Sequence, residues 1–115
     1  MKDASLILFL IAIIGSAFGT GLRSGVPVAT NAASAAALYG KNCASCHGRD
    51  GRAKTFKAKL NHARNLSDPE WQDKVSDERI FNSIMNGKGK MPQYGKKLSE
   101  QEINTLVTYV RGLRK

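Results

Sequence analysis

The side chains best equipped for chemistry stand within five consecutive positions, Cys43-Ala44-Ser45-Cys46-His47. On a helix, thiols three positions apart project from one face about one turn from each other. Two vinyl groups of a single porphyrin can meet thiols so placed, and each union makes a thioether. The imidazole of His47, directly after the second sulfur, is then carried under the ring, where a nitrogen can bind iron. The pentapeptide therefore predicts one covalently attached c-type haem with its fifth ligand supplied by the same segment. Three other readings explain less. A thioredoxin-type dithiol opens a helix in a βαβ unit, and no alternating strand-like run precedes Cys43. A zinc site needs four ligands, and His62 is the only further histidine or cysteine. A plain disulfide leaves His47 without a purpose.

A second candidate ligand stands in Gly87-Lys88-Gly89-Lys90-Met91-Pro92-Gln93-Tyr94-Gly95. Pro92 pushes Met91 out of the helical region, and glycines on both sides permit tight turns. A methionine presented on an otherwise polar loop is suited to bind iron through its thioether sulfur. Met85 is the rival, although its place on an apolar helical stripe makes it a core residue. With His47 and Met91 both on iron, no coordination position stays open, so outer-sphere electron transfer is expected and substrate catalysis is not. Met/His ligation also raises the reduction potential.

The elements that must position these residues follow from the rest of the chain. Lys2, the apolar run Leu6 to Ile14, and the small residues Gly15, Ser16, Ala17 and Gly19 have the order of a secretory signal. Residues 1–21 are read as that signal, with an uncleaved anchor as the competing reading, since no charge occurs from Ala4 to Leu22. Residues 22–33 are read as a flexible linker and 34–115 as the folded domain. Ser34 is the expected cap of a helix from Ala35 to about Cys46, with Tyr39 on the face of Cys43. Gly48 to Asn65 reads as a surface loop with one turn of helix. Asp68-Pro69 opens a short helix to about Lys74 that buries Trp71, and another begins after Ser76 with the stripe Ile80, Phe81, Ile84, Met85 and ends at Gly87. Ser99 and Glu102 form a capping box for a last helix to about Leu113, with Ile103, Leu106, Val107 and Val110 inward.

The 115 residues carry a formal net charge of +9. A domain this small has a marginal apolar core, which a buried porphyrin would complete. The positive balance points to acidic protein partners or anionic lipid; nucleic acid is not expected, because no groove-reading motif is present. Arg52, Arg64 and Trp71 are candidate partners for haem propionates, and His62 is expected to be exposed.

Together the pentapeptide, the Met91-Pro92 loop and the terminal Leu106-Val107-Thr108-Tyr109-Val110 segment make residues 34–115 resemble the small bacterial class I cytochromes c. The resemblance implies an all-α fold of several short helices around one haem, with the first and last helices crossing and one haem edge exposed. Tyr39 matches the family's aromatic on the first helix, and Leu106 and Tyr109 match the residues it meets on the last. Ala35 stands where the family often has glycine. Many members carry a proline in the loop after the attachment site, in the region whose carbonyl orients the axial histidine; here no proline lies between Gly48 and Asp68, so another carbonyl must serve His47.

The function expected is that of a monomeric, extracytoplasmic (periplasmic) one-electron carrier. Cys43, Cys46, His47 and Met91 bind the haem, His47 and Met91 bind its iron, and no residue is catalytic. Lys88, Lys90, Lys96 and Lys97 are expected to dock acidic redox partners near the exposed haem edge. Two alternatives are a haem sensor or peroxidase-like domain using His62 and Arg64, and an electron-transfer subunit tethered to the membrane by its N-terminus.

Overall fold

Most helices here begin at a side chain that caps its own backbone. Thr55, Asp68, Ser76 and Ser99 each accept a hydrogen bond from a first-turn amide, and the Ser99–Glu102 box closes in both directions. The structure, a computed structural model, describes residues 28–115. Their order is α1 (Val28–Asn42), α2 (Ala44–His47), α3 (Phe56–Asn61), α4 (Pro69–Lys74), α5 (Asp77–Asn86) and α6 (Glu100–Gly112). The predicted signal, or anchor, and residues 22–27 of the predicted linker lie outside the described residues; residues 28–33, read as part of that linker, are helical and belong to α1. Among the described residues the fold is all-α, as expected.

Two boundaries differ from the sequence reading. Helix α1 starts at Val28, so Ser34 lies inside it and is not its cap. The alanines on both sides of Ser34 favour helix as strongly before it as after it. The helix expected to reach Cys46 is divided at Cys43, which keeps near-helical dihedrals (φ −118°, ψ −37°) and starts α2. The backbone bonds Cys43 N to Tyr39 O (2.8 Å) and His47 N to Cys43 O (2.9 Å) continue across the joint.

Helices α1 and α6 pack together. Tyr39, 1% exposed, lies against Tyr109 with ring centroids 4.8 Å apart, and Ala35 is buried. Ile103, Leu106, Val107 and Val110 form the inner stripe of α6; Ile80 and Ile84 form that of α5, and α5 packs on α6. Arg111 locks this arrangement, donating to the Gln72 carbonyl (2.7 Å), Gln72 Oε1 (3.0 Å), the Val75 carbonyl (2.6 Å) and Asp77 (2.6 Å). Buried Gln72 in turn donates to the carbonyls of Leu66 (2.7 Å) and Val110 (2.8 Å). Gln72 thus serves the Leu66 carbonyl and adds a second bond to that of Val110, which also accepts from the Leu113 amide (3.0 Å), so the knot ties α4 to α6.

Candidate haem site

Between these helices lies a crevice of about 680 Å³ lined by Tyr39, Cys43, Cys46 and His47 on one side and by Met91, Pro92 and Tyr94 on another. Ile80, Ile84, Leu106 and Val110 supply apolar wall. The structure thus brings Cys43, Cys46, His47 and Met91, 48 positions apart at the extremes, to one cavity.

The attachment side is held by bonds from several directions. Buried Tyr39 donates its hydroxyl to the Gly48 carbonyl (2.7 Å), fixing the end of α2. Thr55, besides capping α3, donates to the carbonyls of Ser45 (3.2 Å) and Cys46 (3.1 Å). His47 Nδ1 lies 2.9 Å from the Arg64 carbonyl oxygen. A carbonyl only accepts, so Nδ1 carries the proton and the other ring nitrogen keeps a lone pair. Burial lowers the His47 pKa, with the Arg64 bond opposing in part; the ring is therefore neutral near pH 7, as a metal ligand must be. The carbonyl that the proline-free loop left unassigned is that of Arg64. As a free thiol, Cys43 is pushed up to about 11 by burial and then by neighbouring Cys46. A thioether, which does not ionise, suits that position better than a thiolate.

The methionine side is built differently. Lys88 and Met91 exchange backbone bonds, Lys88 N to Met91 O (3.2 Å) and Met91 N to Lys88 O (3.0 Å), across the turn Gly89-Lys90. Gly87 ends α5 with φ +74°, and a β-carbon there would stand 2.6 Å from the Met91 carbonyl oxygen. Tyr94 N bonds Ile84 O (2.9 Å) and Gly95 N bonds Met85 O (3.0 Å), stitching the returning chain to α5. Met85 packs against Gly95 so closely that any side chain at 95 would collide with its sulfur. It belongs to the core and is not among the residues lining the crevice, whereas Met91 is. Tyr94 also donates its hydroxyl to the Asn42 carbonyl (2.8 Å), tying the loop to α1.

The peripheral candidates separate. Arg64 and Trp71 line the crevice; Arg52 does not, and pairs with Asp50 at 3.8 Å. His62 is exposed and caps α3 in a left-handed conformation (φ 52°) at the mouth of the crevice. Sequence reasoning missed the link from Lys90 Nζ to the Leu60 carbonyl (3.0 Å), which joins the methionine loop to α3.

The crevice fits a flat apolar macrocycle: two thiols stand on its wall beside a neutral imidazole with a free lone pair. Fold and site together define a small all-α domain that holds a porphyrin covalently. The chain belongs to the cytochrome c family: residues 30–110 match the domain family described as cytochrome c oxidase, cbb3-type, subunit III. It is 31% identical over 106 residues to a cytochrome c6 of Picosynechococcus sp., covering 88% of this chain and 90% of that one. It is 34% identical over 79 residues to the cbb3-type cytochrome c oxidase subunit FixP of Azorhizobium caulinodans, covering 68% of this chain and 26% of that one. The solved KustC0563 c-type cytochrome superposes with a TM-score of 0.65 at 40% identity, covering 70% of this chain and 98% of that one. A covalently bound c-type haem is accordingly the cofactor, and electron transfer is the family's work. Among the described residues no helix is long and apolar enough to cross a membrane.

Proposed function

We propose that this chain is an extracytoplasmic one-electron carrier whose single haem is bound through Cys43 and Cys46 and ligated by His47 and Met91. The observation that carries the reading is the convergence of those four residues on one apolar crevice. The haem supplies the redox couple; the residues of the chain set its surroundings. The Arg64 carbonyl fixes the tautomer and orientation of His47. Ile80, Ile84, Leu106 and Val110 exclude water from the crevice wall, which limits the solvent reorganisation that accompanies each change of charge. Were His47 and Met91 both to hold the iron, it would offer no open site for substrate; on this reading the chain catalyses nothing by itself and hands electrons to redox-partner proteins.

Spectra of holoprotein and Met91→Ala, oxidised and reduced, test this. The wild type should give a c-type reduced spectrum and a weak sulfur-to-iron band at the near-infrared edge; the variant should keep its covalent haem, lose the band and bind carbon monoxide. A wild type without the band rejects Met91 as ligand. The matches to cbb3 oxidase subunits favour one further reading, a carrier domain tethered within a larger oxidoreductase. Retention on membranes after a salt wash would select it over a free shuttle.

A further inference from the structure

Helix α3 differs from the other helices in what it shows to solvent. Ala58 is its only buried residue, while Phe56 is 77% exposed and Leu60 56%, the large apolar side chains most open to solvent among the described residues. Four positions apart, they share one face. Single exposed apolar residues are ordinary; a pair standing together beside a redox centre is a candidate contact surface. The helix adjoins that centre on two sides. Thr55 bonds the backbone of Ser45 and Cys46, and Asn61 Nδ2 lies 3.9 Å from Cys46 Sγ. Lys90 brings the methionine loop to the Leu60 carbonyl.

The charges around this face are of one sign. Between Gly51 and Ser67 there are Arg52, Lys54, Lys57, Lys59 and Arg64 and no carboxylate; between Gly87 and Ser99 there are four lysines and again none. The acidic residues of the described chain sit on α4, α5, α6 and their caps, except Asp50, which is paired with Arg52. A second copy of the chain would bring lysines against lysines across this face. An anionic lipid surface would meet only two apolar residues, on a helix of six, a small area for interfacial burial.

We propose that the outer face of α3, Phe56 and Leu60 inside a ring of Lys54, Lys57, Lys59 and Lys90, docks a redox-partner protein that presents an apolar centre within a carboxylate rim. This rests on the carrier reading above and adds the face: electrons cross beside Cys46, with the apolar pair giving the contact and the lysines guiding approach. One electron leaves the reduced partner and converts the ferric protein to the ferrous form, with no bond broken and no proton moved.

The test is stopped-flow oxidation of reduced soluble cytochrome b5, an acidic one-electron protein used as probe, by the holoprotein. The second-order rate should fall steeply with salt. Phe56→Ser with Leu60→Ser should lower it about tenfold at every salt concentration, and Lys57→Glu with Lys59→Glu should lower it about tenfold at low salt and flatten the salt dependence. Both variants should keep wild-type spectra and wild-type rates with ascorbate. Rates within about twofold of wild type for both variants overturn the proposal. So does a rate lost only on changing Lys96 and Lys97, or binding to phosphatidylglycerol vesicles that alone depends on Phe56 and Leu60, or a sedimenting dimer abolished by their replacement. A wild type lacking the sulfur-to-iron band is a different failure, that of the ligand assignment.

Discussion

The two sides of the crevice are fastened in different ways. Around His47 the bonds run to distant backbone groups: Tyr39 to Gly48, Thr55 to Ser45 and Cys46, and His47 itself to Arg64. Around Met91 a two-bond turn presents the side chain, and Lys88, Gly89 and Lys90 are exposed. Among the described residues, only two side-chain bonds, from Lys90 and Tyr94, anchor that loop to elements other than α5. The histidine side is therefore fixed by the fold as a whole, whereas the methionine side depends on a local device that can open while the helices stay packed.

The sharpest way to break this contrast is Gly87→Ala. Its positive φ and the 2.6 Å approach to the Met91 carbonyl leave no room for a methyl group. The expected outcome is loss of the sulfur-to-iron band with haem still attached, and a stability loss of about 1–3 kcal/mol; a retained band would show the methionine side to be as firmly held as the other. Tyr39→Phe comes next. It removes the hydroxyl bond to the buried Gly48 carbonyl, which the Gly51 amide still serves, and should cost about 1–1.5 kcal/mol in urea unfolding with the sulfur band intact. Tyr94→Phe removes the bond to the Asn42 carbonyl from a half-buried site and should cost about 0.5–1.5 kcal/mol. Its selective effect is an earlier loss of the sulfur band than of helical circular dichroism as urea rises. A larger global cost for Tyr94→Phe than for Tyr39→Phe would reverse the comparison.

What the sequence disclosed has a common physical character. Asp68, Ser76 and Ser99 were legible as caps because a cap bonds an amide two or three positions away, within the same stretch of text. Met91 is preferred over Met85 because Pro92 and the neighbouring glycines dictate local backbone; Met91 lines the crevice and Met85 does not. Ser34 misled, since capping tendency marks a helix start only where helix propensity drops before it, and the alanines continue back past it. The Arg64 carbonyl could not be read at all. Every residue carries a carbonyl, so nothing in residue type distinguishes the one that meets His47 across 17 positions. The Lys90 to Leu60 link across 30 positions was hidden for the same reason, and Arg52 gave no sign that Asp50 would hold it away from the crevice.

Leu106 and Val110 of α6 wall the crevice, and α6 in turn is clamped by Arg111. Both lie far downstream of the cysteines. On the proposed extracytoplasmic reading, a chain exported amino end first would present Cys43 and Cys46 before the wall that covers the cofactor. Attachment would then meet an open segment, and the arrival of α6 would shut the porphyrin in. The order of residues along the chain would serve as a timetable for assembly.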